Sequence, residues 1–195
     1  MTPLEERLHL IERFWTQEAD QVRAATDLVE HLFRNGHRLF VAGNGGSAAQ
    51  ADHFVAELVG RFQQRRNQLP AYALMHAPAT LTALANDFAY TEALAQEFAA
   101  LARPGDGLMV LTTSGRSRNI LRAVEHARHQ GSPVIVLTGE HGRSLRDRVD
   151  VAVVVPHTRT DLIQEIHLMV LHEMARALEQ RFLDNPLPDT YNPPG

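Results

Sequence analysis

The chain has no cysteine, which excludes disulfides and thiolate zinc sites from the start. Long apolar runs are missing too. None approaches the ~18 residues that would span a bilayer. The opening MTPLEERLHLIERF is charged and lacks the apolar core of a secretory signal. Positive charge is also in short supply: the formal net charge is -4, whereas a dedicated nucleic-acid binder needs a basic surface. Arg61, Arg65 and Arg66 form one small cluster, which reads as a solvated loop. These absences point to a cytoplasmic protein with neither membrane nor nucleic acid as a partner.

What is present is ordinary in bulk and specific in detail. The 195 residues fit a single domain, and 44% hydrophobic with 22% charged residues is a usual globular balance. Residues 1–36 read as helix, with Leu4, Leu8, Ile11 and Trp15 on one face and Val22, Ala25, Val29 and Leu32 continuing a stripe. Thr16 or Asp20 could mark a break, and Asn35-Gly36 supplies a stop. The chain then alternates. Strands are predicted at 39–42, 71–75, 108–112, 134–138 and 151–155, and helices at 47–62, 80–85, 91–101, 117–130, 143–148 and 161–182. Buried runs such as VIVLT and VAVVV between helices indicate a parallel sheet covered on both faces. The expectation is an α/β, flavodoxin-like doubly wound five-stranded parallel sheet, with N-terminal helices and an irregular proline-rich tail over 184–195. Ligands in such sheets sit beyond the carboxyl ends of the strands.

That rim carries two candidate anion loops. The first, Gly43-Asn44-Gly45-Gly46-Ser47, lies between a strand and a helix, where free backbone N–H groups and the helix dipole favour negative charge. Gly43, Gly45 and Ala48 also match a dinucleotide fingerprint, but the next strand ends in His76-Ala77-Pro78 without the acidic residue that a ribose requires. The second loop is Thr112-Thr113-Ser114-Gly115-Arg116-Ser117, rich in hydroxyls. Alone, an N-cap at Ser117 with turn chemistry explains it as well as a phosphate does. Two such loops on one rim favour the phosphate.

His53 and Glu57 share a helix face at i, i+4. In isolation the pair is most simply an intrahelical contact worth a few tenths of a kcal/mol. In the last helix, Gln164, Leu168 and His172 step by four, so Gln164 and His172 lie on neighbouring parts of one face. If the two helices meet, His53, Glu57, Gln164 and His172 could build a four-ligand site whose imidazole and carboxylate donors suit zinc. Asn86-Asp87 interrupts an apolar pattern and, on its own, reads as an Asx turn between helices.

With these features together, the sequence resembles the sugar isomerase (SIS) fold and, within it, the bacterial phosphoheptose isomerases. The resemblance runs from about Leu39 to about Met174 and is carried by GNGGSAAQADHFVAELVGRF, ALANDF, TTSGRS, LTGEHG and DLIQEIHLMVLH. It implies conversion of sedoheptulose 7-phosphate to D-glycero-D-manno-heptose 7-phosphate, toward heptose for surface glycans. It also implies Glu57 and His172 as the acid–base pair, and zinc, one per subunit, on His53, Glu57, Gln164 and His172. Substrate contacts are implied at Asn44, Gly45, Gly46, Glu57, Asn86, Asp87, Thr112, Thr113, Ser114, Ser117 and Gln164, with Ser47 a further phosphate contact. A homotetramer with active sites at subunit interfaces follows from the same resemblance. Thr112 stands where enterobacterial members have serine, and Arg116 where they have asparagine. Two other readings share the fold: a non-catalytic scaffold resembling a replication-initiator-associating protein, and an isomerase of another sugar phosphate. The scaffold is expected to lack the carboxylate and imidazole of Glu57 and His172.

Overall fold

The computed structural model describes residues 2–187, so most of the tail predicted to be irregular lies outside the described residues. The first element is a single helix, α1 (Pro3–Arg34), capped by Thr2, whose hydroxyl accepts from the Glu5 N–H while the Glu5 carboxylate accepts from the Thr2 N–H. No break occurs at Thr16 or Asp20; the Thr16 hydroxyl bonds back to the Glu12 carbonyl and the helix runs on. The predicted stripe is shifted in its first half. Leu10 and Phe14 are buried, whereas Leu4 and Leu8 are 66% and 57% exposed.

The remaining elements are β1 (Leu39–Gly43), α2 (Gly46–Val59), β2 (Ala71–Ala73), α3 (Pro78–Phe88), α4 (Tyr90–Leu101), β3 (Gly107–Thr112), α5 (Arg118–His129), β4 (Val134–Gly139), a 3-10 helix (Glu140–Arg148), β5 (Val151–Val155) and α6 (Thr160–Asp184). Two boundaries moved for physical reasons. Helix α2 stops at Gly60, and the buried Arg66 guanidinium caps its end by donating to the carbonyls of Glu57 and Leu58, both at 2.7 Å. Arg66 is therefore no part of a solvated cluster. Asn86 and Asp87 sit inside the last turn of α3 rather than in an Asx turn between helices.

All strand pairings are parallel, in the order β2-β1-β3-β4-β5. Alternate side chains feed two cores. Leu39, Val41, Met109, Leu111, Ile135, Leu137, Val153 and Val155 pack under α1, α2 and α6. Phe40, Ala42, Leu108, Val110, Val134 and Val136 pack under α4 and α5. This is the doubly wound arrangement expected, and its strand order reverses between β1 and β3. The crevice at that switch point opens between the loop after Gly43 and the loop after Thr112, the two anion candidates.

Polar side chains lock the frame around the cores. At the amino end of the sheet, Asp106 accepts from the Arg38 backbone N–H at 2.7 Å, from the Arg38 guanidinium, and from the Arg103 N–H. Burial alone would raise the Asp106 pKa, but these donors and the Arg38 charge outweigh it and hold the carboxyl below its usual range. On the α1 side, buried Glu18 accepts from Arg146 at 2.7 Å and from the Val154 N–H, tying α1 to β5 and the 3-10 helix.

Candidate active site

The glycine loop is shaped by close approaches. A Cβ on Gly43 would lie 2.6 Å from the Ser47 backbone, so the strand can turn into α2 this tightly only without a side chain. A Cβ on Gly46 would meet the Gln164 amide at 2.8 Å. That missing Cβ lets the start of α6 lie against the start of α2. Gln164 then donates to the buried Ser47 hydroxyl at 3.4 Å, and Gln50 donates to the Gln164 carbonyl at 2.7 Å.

Further along the same two helices, three of the four predicted ligands converge. Glu57 Oε1 is 3.0 Å from His53 Nε2 and 3.6 Å from His172 Nε2, and the two imidazole nitrogens are 3.3 Å apart. The intrahelical His53–Glu57 contact exists, but it is one side of a cluster. The amide of the fourth residue, Gln164, lies against Gly46 and the Ser47 hydroxyl. Glu57 is the least exposed of the three, and its Oε2 is buried without a hydrogen-bond partner among the described residues. An acceptor with a free lone pair, beside two imidazole nitrogens aimed at one point, suits a proton or a divalent cation.

The far wall of the cluster was not visible in the sequence. Phe62 packs against the His172 ring, centroid to centroid 5.8 Å. The loop carrying it is pinned by buried Glu179, which accepts from the N–H groups of Phe62, Gln63 and Gln64. Burial would raise the Glu179 pKa, but these N–H donors and the Arg66 charge prevail and keep it lowered. In turn, Arg66 has its own pKa lowered by burial, with Glu179 opposing.

The hydroxyl loop divides its labour. Thr112 is buried and its hydroxyl accepts from the Gly115 N–H at 3.2 Å, so it braces the turn from within. The Ser114 hydroxyl accepts from the Arg116 N–H, and the Thr113 and Thr160 hydroxyls are 3.4 Å apart. Ser117 occupies the N-cap position of α5 yet makes no side-chain cap bond, so the simple N-cap explanation of its presence fails. Asn86 and Asp87 are exposed and bond to each other at 2.9 Å. What reaches the glycine loop from that region is Tyr90, whose hydroxyl donates to Asn44 Oδ1 at 2.9 Å.

The sequence contains no lysine, all 19 of its Lys and Arg residues being arginine, so no side-chain amine can form a Schiff base with a carbonyl substrate. A glycine- and hydroxyl-lined rim at the α/β switch point and a carboxylate–imidazole cluster farther along α2 and α6 occur together in this fold, and the family model described as the SIS domain matches residues 4–139. A phosphoheptose isomerase from Nitratiruptor sp. is 39% identical over 171 residues, covering 88% of this chain and 91% of the relative. The solved phosphoheptose isomerase of Neisseria gonorrhoeae superposes with a TM-score of 0.84 at 33% identity, over 91% of this chain and 95% of that one. The one from Francisella tularensis gives 0.86 at 33% identity, over 92% and 100%. The chain belongs to the phosphoheptose isomerase family.

Proposed function

We infer that the chain is an aldose–ketose isomerase that converts sedoheptulose 7-phosphate to D-glycero-D-manno-heptose 7-phosphate, for heptose biosynthesis. The observation that carries this reading is the Glu57–His172 pair at 3.6 Å, on the same two helices whose amino ends border the phosphate loops. A ketose and its aldose interconvert through an enediol. Glu57 removes a proton from the carbon beside the carbonyl, using the unpartnered Oε2. The proton is returned to the neighbouring carbon, and His172 moves protons at the sugar oxygens. Ser47, Thr113, Ser114 and Ser117, with the amides of Gly45 and Gly46, hold the phosphate so that the reacting carbons are fixed beside Glu57. Gln164, bonded to Ser47, faces the sugar between the two regions, and Asn86 and Asp87 are further substrate contacts.

His53, Glu57 and His172 would hold zinc, one per subunit. When bound, the ion supplies polarisation of the sugar oxygens. Gln164 is the proposed fourth ligand only after its amide leaves Ser47.

A homotetramer with active sites between subunits is the assembly we propose. Two features support it: Leu4 and Leu8 stand exposed on α1, and none of the residues of α3 is buried although Phe88 is large and apolar. A cytoplasmic location fits a biosynthetic isomerase. The scaffold reading is disfavoured by the joint presence of Glu57 and His172 in contact. Incubating the protein with a panel of ketose phosphates and separating the products tests the assignment. Selective formation of the heptose phosphate is expected, and turnover of a different ketose phosphate alone would reassign the substrate.

A further inference from the structure

Asn44 sits in the glycine loop, between β1 and α2, and its carboxamide is almost fully engaged inside the protein. Its Nδ2 donates to Asn119 Oδ1 at 2.9 Å, while Asn119 Nδ2 donates back to Asn44 Oδ1 at 2.8 Å. Tyr90 supplies a third bond to the same Asn44 oxygen at 2.9 Å. The two amides form a closed ring of reciprocal hydrogen bonds, the geometry in which each donor faces the other's acceptor. Only one amide hydrogen of Asn44 is left for a ligand.

The position of the partner gives the ring its consequence. Asn119 is the second residue of α5, immediately behind the hydroxyl loop, and it is buried at 3% exposure on the face that also buries Ile120, Ala123, Val124 and Ala127. An asparagine on such a face costs desolvation unless it is satisfied. Here it is satisfied entirely across the crevice. The ring therefore joins the loop after β1 to the helix turn after β3, and these are the two walls between which a phosphate binds at the switch point.

We propose that Asn119, with Tyr90, is a positioning residue of the isomerase: it clasps Asn44 and fixes the spacing of the two phosphate-binding loops. The clasp acts on the remote, non-reacting end of the substrate. Its loss removes binding shared by ground state and transition state, which raises KM and leaves kcat largely intact. The proposal rests on the sugar-phosphate isomerase reading for its ligand, but inorganic phosphate is a probe that needs no turnover.

The experiment measures inorganic phosphate affinity by calorimetry, and KM and kcat for sedoheptulose 7-phosphate, in wild type, Asn119→Ala, Asn44→Ala, the double variant and Tyr90→Phe. Asn119→Ala is expected to weaken phosphate and raise KM by the same factor, about tenfold for two lost hydrogen bonds, with kcat within about threefold. Tyr90→Phe, which removes one hydroxyl from a half-exposed ring, is expected to give about a threefold rise, and it decides the matter if Asn119→Ala does not fold. The double variant should be no worse than the more impaired single variant, because either substitution alone opens the ring. Unchanged phosphate affinity in the folded variants, or a fall in kcat without a change in phosphate affinity, overturns the clasp. A wild type that binds phosphate but turns over no ketose phosphate refutes the isomerase reading instead, while the phosphate affinities still test the clasp.

Discussion

The Glu57 carboxylate and the His172 imidazole come from helices at opposite ends of the domain's chain order, yet they lie 3.6 Å apart. What brings them together is ordinary packing. Phe54 and Leu58 on α2, and Leu171 and Ala175 on α6, belong to the same buried core on one face of the sheet. That leaves the intervening polar positions of both helices to face each other. The site is a by-product of core formation plus a few well-placed polar residues, and its parts can be perturbed separately.

The cluster of His53, Glu57 and His172 is the first part. Removing His53 takes away one of three converging donors while leaving Glu57 and His172 in place. Elemental analysis of the purified protein should find zinc at one equivalent per chain. His53→Ala should lower zinc affinity by more than the ~10–100-fold typical of losing a supporting hydrogen bond. Zinc-supplemented wild type that retains no metal would refute the assignment.

Asp106 bonds to Arg38 and Arg103, neither of them a proposed site residue, so its loss should cost stability and not chemistry. Asp106→Ala leaves the Arg38 guanidinium and two backbone N–H groups without their acceptor. A destabilisation of about 1–3 kcal/mol is expected for leaving the donors around this half-buried pair unsatisfied. Denaturant melts should register it, while kcat of the folded fraction stays at the wild-type value.

His167 sets an acid limit. It is fully buried in α6, neither ring nitrogen has a hydrogen-bond partner among the described residues, and burial lowers its pKa to about 4. The unfolded chain titrates this imidazole near 6.5. Between pH 6.5 and 4 the unfolded state therefore holds more protons, and stability must fall as pH falls. From about 4 up to 6.5 the difference amounts to roughly 3 kcal/mol. His167→Leu should flatten that part of the stability–pH curve in melts taken from pH 7 to 4. An unchanged slope would show that His167 is not the group responsible.

Gly43 tests the loop itself. A methyl at this position meets backbone and not a movable side-chain end, so the chain must shift. Gly43→Ala should weaken sugar-phosphate binding by at least an order of magnitude and lower the melting temperature, as titration calorimetry and thermal melts would report. Gly46→Ala meets only the mobile amide of Gln164 and should be milder in stability.

Much of this architecture was legible in the residues. Apolar runs between helices specified the parallel sheet, and the glycine and hydroxyl loops marked its switch point. His53, Glu57 and His172 were found because i, i+4 spacing constrains one helix face at a time. What spacing cannot convey is which rotamer a polar side chain adopts once neighbours compete for it. Gln164 shares the face of His172, but it is drawn to Ser47 by the space that Gly46 leaves. Arg66 looked like a surface charge in an arginine-rich loop, and only the free carbonyls at the end of α2 explain its burial. Asn119 had a faint signal, an amide on an otherwise apolar helix face. Tyr90 and Phe62 had none, because their partners lie on distant elements.

The most direct test of the account replaces the Glu57 carboxylate by its neutral isostere. Glu57→Gln keeps shape and volume and removes the base. Calorimetry and turnover with sedoheptulose 7-phosphate should then show binding within a fewfold of wild type and heptose 7-phosphate production lost by about a thousandfold or more. Near-normal turnover in that variant would contradict the central claim that this carboxylate moves the proton.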